Sequence, residues 1–401
     1  MQPIQPEGNY LIRLLSSVLE AVQPPTPPKE IEWSMLYGLS VRHGVSNMAW
    51  YSLDKLCHDD RPPREVMEKF QSDYKKAAGK EAMQHIMLEK VLKIFEEHHI
   101  ACMPLKGCLI KQLYPHPNMR LMADIDILFK EEQSEQVKHL LTDLGFTVED
   151  VGGNHDCYGM QPYMKIEMHR ELVPEDSPYR DYLNKTWDRA RLKEACQYTY
   201  ELSREDFLIY LLIHLTKHYA GGGTGIRSFM DLWVYKKQYR EEMDWDYIRS
   251  ELNKINLCEF TESILGLCEV WFGEAASNGL YEDMAEFVFD SGVYGTQKHI
   301  FVSSMSVKSR EKSSVRNIKF LYGFKKFFPP LKSMIIQYPF LKTAPFLLPF
   351  GWMLRGIKCV LFKRRRTLGI INGIRSVSEE DIEKIGNLHR KAGLWIDKPL
   401  K

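Results

Sequence analysis

Between residues 99 and 180 the spacing of apolar side chains switches from the three-to-four of helices to the two of strands, and this limits the possible folds more than any other feature. IACMPL reads as a short buried strand ending at Lys106-Gly107, LIKQLY as a helical turn or two, and ADIDILF alternates with period two. A helix is predicted over 131–144, closing at Gly145. FTVEDV and YGMQPYMKIEMHREL then read as further strands, entered through a Gly152-Gly153-Asn154 turn. Helical periodicity flanks the segment. Upstream, Tyr10, Leu11, Leu14, Leu15, Val18, Leu19 and Val22 mark one helix, Trp33 to Leu53 a second, and Pro62-Pro63 opens a long third whose apolar positions include Val66, Phe70, Met83, Ile86, Val91 and Phe95. Downstream, helices are predicted from about 181 to 300. The fold class is therefore α+β: a small mixed sheet with helices on one side, flanked by helical regions. The expected division is 1–98 helical, 99–180 α/β core, 181–300 helical lobe and 301–401 a basic, proline- and aromatic-rich region.

The 401 residues, 44% hydrophobic and 27% charged, suffice for two or three domains and exclude a disordered or fibrous chain. Eight cysteines without a CxxC pair predict a reducing, cytoplasmic setting rather than a disulfide framework. The start lacks the basic and continuous apolar regions of a secretory signal. The longest uncharged apolar stretch near the C-terminus, Thr343 to Leu354, falls short of the roughly 20 residues that span a bilayer, so no transmembrane segment is expected. Residues 301–401 hold 21 basic and 6 acidic residues, a net of +15, which leaves −14 for the first 300 against the overall +1. An anionic partner is expected for that region.

Asp124-Ile125-Asp126 carries the chemistry. Side chains two apart on a strand point the same way, so both carboxylates leave one face about 7 Å apart. In YMKIEMH, Ile166 and Met168 are expected to face the core, while Lys165, Glu167 and His169 face the other way. Asp124, Asp126 and Glu167 on adjacent strands can then hold two Mg²⁺ ions, or Mn²⁺, for phosphoryl chemistry. Lys106-Gly107-Cys108 sits at a strand end before a helical run, where a glycine lets a phosphate approach backbone N–H groups. Lys106 and Arg120 add charge for a triphosphate.

The order strand, Gly turn, helix, Asp-x-Asp strand and later acid resembles the nucleotidyltransferase superfamily with its polymerase-beta-like fold. Leu105, Gly107-Cys108, Asp124-Ile125-Asp126-Ile127 and Glu167 carry the likeness. More narrowly, PLKGCLIKQLYPHPNMRLMADIDILF, IEMHREL, HLTKHY and IRSFMDLW are similar to a bacterial group of uncharacterised nucleotidyltransferases, over roughly 85 to 300. Cys108 stands where the superfamily has Gly or Ser, and Glu167 where Asp is commoner. The resemblance implies transfer of a nucleoside monophosphate from an NTP to a hydroxyl acceptor, with pyrophosphate leaving. A small molecule or sugar is the first acceptor, with tRNA or a protein side chain as rivals. It also places Lys217, His218 and Asp231 along the nucleotide cleft, and leaves Glu167, His169 or His218 as the base. The reading from another class is a catalytically silent nucleotide-binding or scaffold relative.

Other signals are weaker. His214 and His218 have the i, i+4 spacing of a zinc pair but lack a third ligand. Gly221 to Gly225 lacks a P-loop lysine and reads as an inter-helix loop. His58-Asp59-Asp60 reads as a solvated helix end, and His155-Asp156 as a hairpin tip. For 301–378, with its Lys363-Arg364-Arg365-Arg366 run, three readings stand open: an anionic membrane surface, peripheral to the inner face; an RNA backbone; or a basic subdomain docked on the acidic body.

Overall fold

The computed structural model describes residues 6–162, 164–293, 295–306, 323–324, 327–362, 368 and 377–395; the Lys363–Arg366 run lies outside them. Helix α1 (Pro6–Leu19) buries Tyr10, Leu11, Leu14, Leu15, Val18 and Leu19, as its stripe predicts. Val22 lies beyond the helix end and is exposed. The single helix expected over 33–53 is two, α2 (Trp33–Arg42) and α3 (Ser46–Leu53). The break is at Gly44, whose φ of +64° is the left-handed conformation that ends helices at low cost only in glycine. That turn lets α3 bury Met48, Ala49 and Leu53.

Helix α4 (Arg64–Glu97) starts directly after Pro63. Its first turns place Val66 and Phe70 in the core shared with α1 and α3. Its last turns place Leu88, Val91 and Phe95 in a second core beneath the sheet, so the expected boundary at residue 98 falls where α4 is still packed on the strands. Met83 and Ile86, expected on its apolar face, are exposed, Ile86 at 65%.

The sheet has five strands in the order β1-β2-β5-β4-β3: β1 (Cys102–Pro104), β2 (Ile125–Phe129), β3 (Thr147–Asp150), β4 (His155–Met160) and β5 (Met164–His169). Only β2 and β5 run parallel, so the sheet is mixed. Between β1 and β2 lies the single turn α5 (Gly107–Ile110), and after β2 comes α6 (Ser134–Asp143). Ile125, Ile127, Phe129, Ile166 and Met168 face α4 and α6, whose Val137 and Leu141 complete that core. All five residues of β2 are buried, because its other face is also covered: Leu128 belongs to the helical core and Asp126 is enclosed by Lys106 and His169. His155 and Asp156 are not a hairpin tip; they open β4, where Asp156 is buried and accepts both guanidinium arms of Arg170.

Two short helices, α7 (Arg180–Leu183) and α8 (Thr186–Arg189), lead to the lobe formed by α9 (Arg204–Gly221), α10 (Ile226–Tyr239), α11 (Trp245–Lys254), α12 (Cys258–Phe272), α13 (Gly279–Ser291) and α14 (Gln297–Ser306). Gly221 to Gly225 is the α9–α10 connection, as expected. The helix Glu379–Lys391, opened by a Ser378/Asp381 capping box, returns to pack on α14 and α13.

This lobe encloses histidines. His389 lies 2% exposed beside the rings of Tyr219 and Phe287, with neither ring nitrogen hydrogen-bonded among the described residues. Burial lowers His43, His299 and His389 to about 4, from an ordinary 6.5. The folded state thus binds fewer protons than the unfolded one, and each histidine's contribution to stability is intact above pH 6.5 and lost as pH falls toward 4. The unfolding free energy read from urea titrations should fall across that window, by at most about 1.4 kcal/mol per pH unit for each histidine, and the urea midpoint with it. His389→Leu should flatten the slope; a midpoint independent of pH between 7 and 5 in the unmodified chain would refute the assignment.

Candidate active site

Parallel pairing of β2 with β5 places Asp126 directly opposite Glu167, and Leu128 opposite His169. Antiparallel pairing of β4 sets Cys157 opposite Glu167 and His155 opposite His169. Because side chains alternate, Asp126, Glu167, His169, His155 and Cys157 share the face turned away from α4 and α6. Ligand atoms of Asp126, Glu167 and His169 lie within 4.8 Å of one another.

Asp126 is 6% exposed, and its Oδ1 accepts from Lys106 Nζ at 3.0 Å and meets His169 Nε2 at 2.8 Å. Burial alone would raise its pKa, but Lys106 and His169 outweigh burial and hold it well below the usual carboxylate range. Asp124 lies two residues earlier, in the bend entering β2, and is raised by burial and by repulsion from Asp126 and Glu167. Glu167 Oε1 accepts from Lys165 Nζ at 2.8 Å, and its Oε2 stands 3.8 Å from both His155 Nε2 and His169 Nε2. Lys106 has φ +46°, a left-handed conformation that costs a residue with a Cβ about 1 kcal/mol or more, and its ammonium is nonetheless directed onto Asp126.

The other expected residues divide into two groups. Lys217 and His218 are solvent-accessible on α9 yet hemmed in by protein. Burial and the nearby Lys106 lower the Lys217 pKa, while burial and Lys217 lower His218 to about 4. His218 Nε2 meets His214 Nε2 at 3.1 Å, so the pair satisfy each other as neutral rings. Arg120 and Asp231, 111 residues apart, form a buried two-pronged pair: Nε to Oδ1 at 3.1 Å and Nη2 to Oδ2 at 2.7 Å, with Tyr114 donating its hydroxyl to Oδ1 at 2.8 Å. This ties the loop before β2 to α10. A cavity of about 60 Å³ between Lys106, Arg120, His214, Arg227 and Asp231 has room for water but not for a nucleotide.

The Gly107 turn differs from the expected phosphate cradle. A Cβ at Gly107 would come within 2.6 Å of Arg120 Nη1 and Met122 Sδ, so protein side chains fill the space that the glycine opens. Cys108 points into the core beneath the sheet, where burial pushes its thiol up to about 12. Sequence reasoning missed His155, read as part of a hairpin tip, Cys157, which was not singled out, and Lys80 of α4, whose charge is felt by Asp124 and Arg227. No spacing rule connects Lys80 to residues more than 40 positions away.

The family described as uncharacterised nucleotidyltransferase matches residues 29–273, which take in the whole five-stranded sheet, α4, α9 and α10. The chain belongs to that nucleotidyltransferase family. No curated protein and no solved structure matches the chain. Within the nucleotidyltransferase match lie Lys106, Asp124, Asp126, Glu167, His169, Lys217 and the Arg120–Asp231 pair, whereas the chain beyond residue 273 lies outside it.

Removing one partner of a buried ion pair leaves an uncompensated charge, so Asp231→Ala should destabilise by about 3–5 kcal/mol. Arg120→Met combined with Asp231→Ala should cost less than the sum of the two changes, a coupling read by urea denaturation. Strict additivity would show that the pair is not a unit.

Proposed function

We propose that this chain transfers a nucleoside monophosphate from an NTP to a hydroxyl-bearing acceptor, a small molecule or sugar in the first instance. The observation that carries this is the in-register Asp126–Glu167 pair across the parallel strands, with Asp124 two residues upstream and lysines on both paired acids. The donor set fits magnesium: the hard carboxylates of Asp126 and Glu167 lie together, Asp124 is close enough to be repelled by both, and the ammonium groups of Lys106 and Lys165 balance the charge that a divalent cation would otherwise neutralise. Asp124, Asp126 and Glu167 would hold the ions, with Mn²⁺ as a substitute. Bound there, magnesium supplies charge neutralisation for the phosphates and acidifies the acceptor hydroxyl.

The remaining chemistry belongs to the chain. Lys106, released from Asp126, and Lys217 bind phosphate oxygens as point charges from two sides of the groove, with Lys80 and Arg227 adding positive potential. His169 keeps Asp126 aimed across the sheet through its 2.8 Å contact. The acceptor oxygen attacks the α-phosphorus, the bond from that phosphorus to the bridging oxygen breaks, pyrophosphate leaves, and the acceptor proton passes to Glu167. Arg120 and Asp231 position the groove walls without touching the nucleotide. The buried, neutral Cys108 favours a second reading, a silent nucleotide-binding relative, because a superfamily hydroxyl contact is replaced by a thiol in the core.

Mg²⁺ with an NTP should raise the thermal midpoint of the chain, and Asp126→Asn should abolish that rise. Label from an α-phosphorus-labelled NTP should pass to an acceptor in a cell extract at a rate cut by roughly a hundredfold or more in Glu167→Gln. Stabilisation without transfer would select the silent reading; neither stabilisation nor transfer would sink both.

A further inference from the structure

Among the described residues, eleven of the twenty large apolar side chains left exposed fall between Phe324 and Leu368. They are not scattered. In the helix Leu348–Phe362, Phe350, Met353, Ile357 and Leu361 follow at intervals of three and four and share one face, with Phe346, 80% exposed, just before its start. The opposite side of this helix is supported. Gly351 sits close against Met334 and Leu341, both buried, and Trp352 donates its indole N–H to the Pro329 carbonyl at 2.8 Å. A small built platform therefore holds an apolar stripe outward.

The surrounding sequence says what can cover it. Residues 312–378 carry 14 Lys and Arg and no Asp or Glu. Of these, Lys342 and Lys358 are exposed beside the platform. A second copy would bring the same acid-free segment against itself, and like charge opposes that contact. RNA would need a run of ring faces for stacking, but beyond Phe346 and Phe350 the stripe continues through Met353, Ile357 and Leu361, which offer none. No described helix is long and apolar enough to cross a membrane, and a 15-residue helix reaches only about 22 Å, which suits lying in the interface rather than spanning it.

We infer that the helix Leu348–Phe362 with the loop carrying Phe346 docks this chain on an anionic bilayer surface, its apolar stripe among the acyl chains and its lysines at the headgroups. The segment lies beyond the family match at 29–273, and the inference does not rest on the proposed reaction.

The test is flotation of the full-length protein with vesicles of phosphatidylcholine and phosphatidylglycerol in equal parts, against phosphatidylcholine alone, at low and high salt. The expected result is flotation with the anionic vesicles, weakened by salt. The double variant Met353→Asp/Ile357→Asp, both on the exposed stripe, should lose roughly tenfold or more of that partitioning while its thermal midpoint is unchanged. Failure of the unmodified chain to float with anionic vesicles overturns the inference. So does undiminished flotation of the variant, a dimer in light scattering that the variant abolishes, or RNA binding that the variant weakens.

Discussion

A carboxylate that is 94% enclosed cannot stay ionised unless polar partners reach it, and Asp126 has two, the Lys106 ammonium and the His169 ring. Much of the architecture follows from that requirement. Lys106 must sit at the end of β1, in a left-handed conformation, to lie over β2. His169 must arrive on a strand parallel to β2, which requires a crossover, and the chain between β2 and β5 provides it with α6 and the β3–β4 hairpin. The same register that delivers His169 two residues further along β5 sets Glu167 opposite Asp126. One electrostatic demand thus fixes the spacing of the acids.

The helical lobe contributes from the other side without entering the sheet. Arg120 and Asp231 bind the loop before β2 to α10, and Arg227 from the same helix donates to the Leu121 carbonyl at 2.8 Å. The loop before β2 and α10 are therefore joined by polar contacts, while Lys217 and His218 stand accessible on α9. Buried ion pairs contribute little net stability but are strongly directional.

Most of the sheet was legible because strand alternation and glycine turns are local signals. Ile166 and Met168 inward with Glu167 and His169 outward needs only period two, and the structure has it so. What could not be read depended on tertiary closure. Gly44 looks like any tolerated helical glycine until the packing of α3 on α4 demands a left-handed turn. Gly107 looks like a phosphate turn until Arg120 and Met122 occupy its vacant side. His155 and Cys157 follow a glycine pair and a turn, so their arrival opposite His169 and Glu167 is a property of strand pairing rather than of their own neighbourhood. Asp231 was singled out by resemblance, but only the fold shows that it meets Arg120.

Helix α4 runs 34 residues, about 50 Å, and belongs to two cores at once. It is a shared beam. A fragment beginning after residue 98 would strip Leu88, Val91 and Phe95 from beneath the strands and present the sheet's apolar underside to water, while a fragment ending there would leave the same three side chains with nothing to cover them. The two halves consequently have no independent melting behaviour to inherit. Loss of order at either end of the beam is transmitted to the other, so the acid-bearing face is only as firm as the helical bundle at the far end of the molecule.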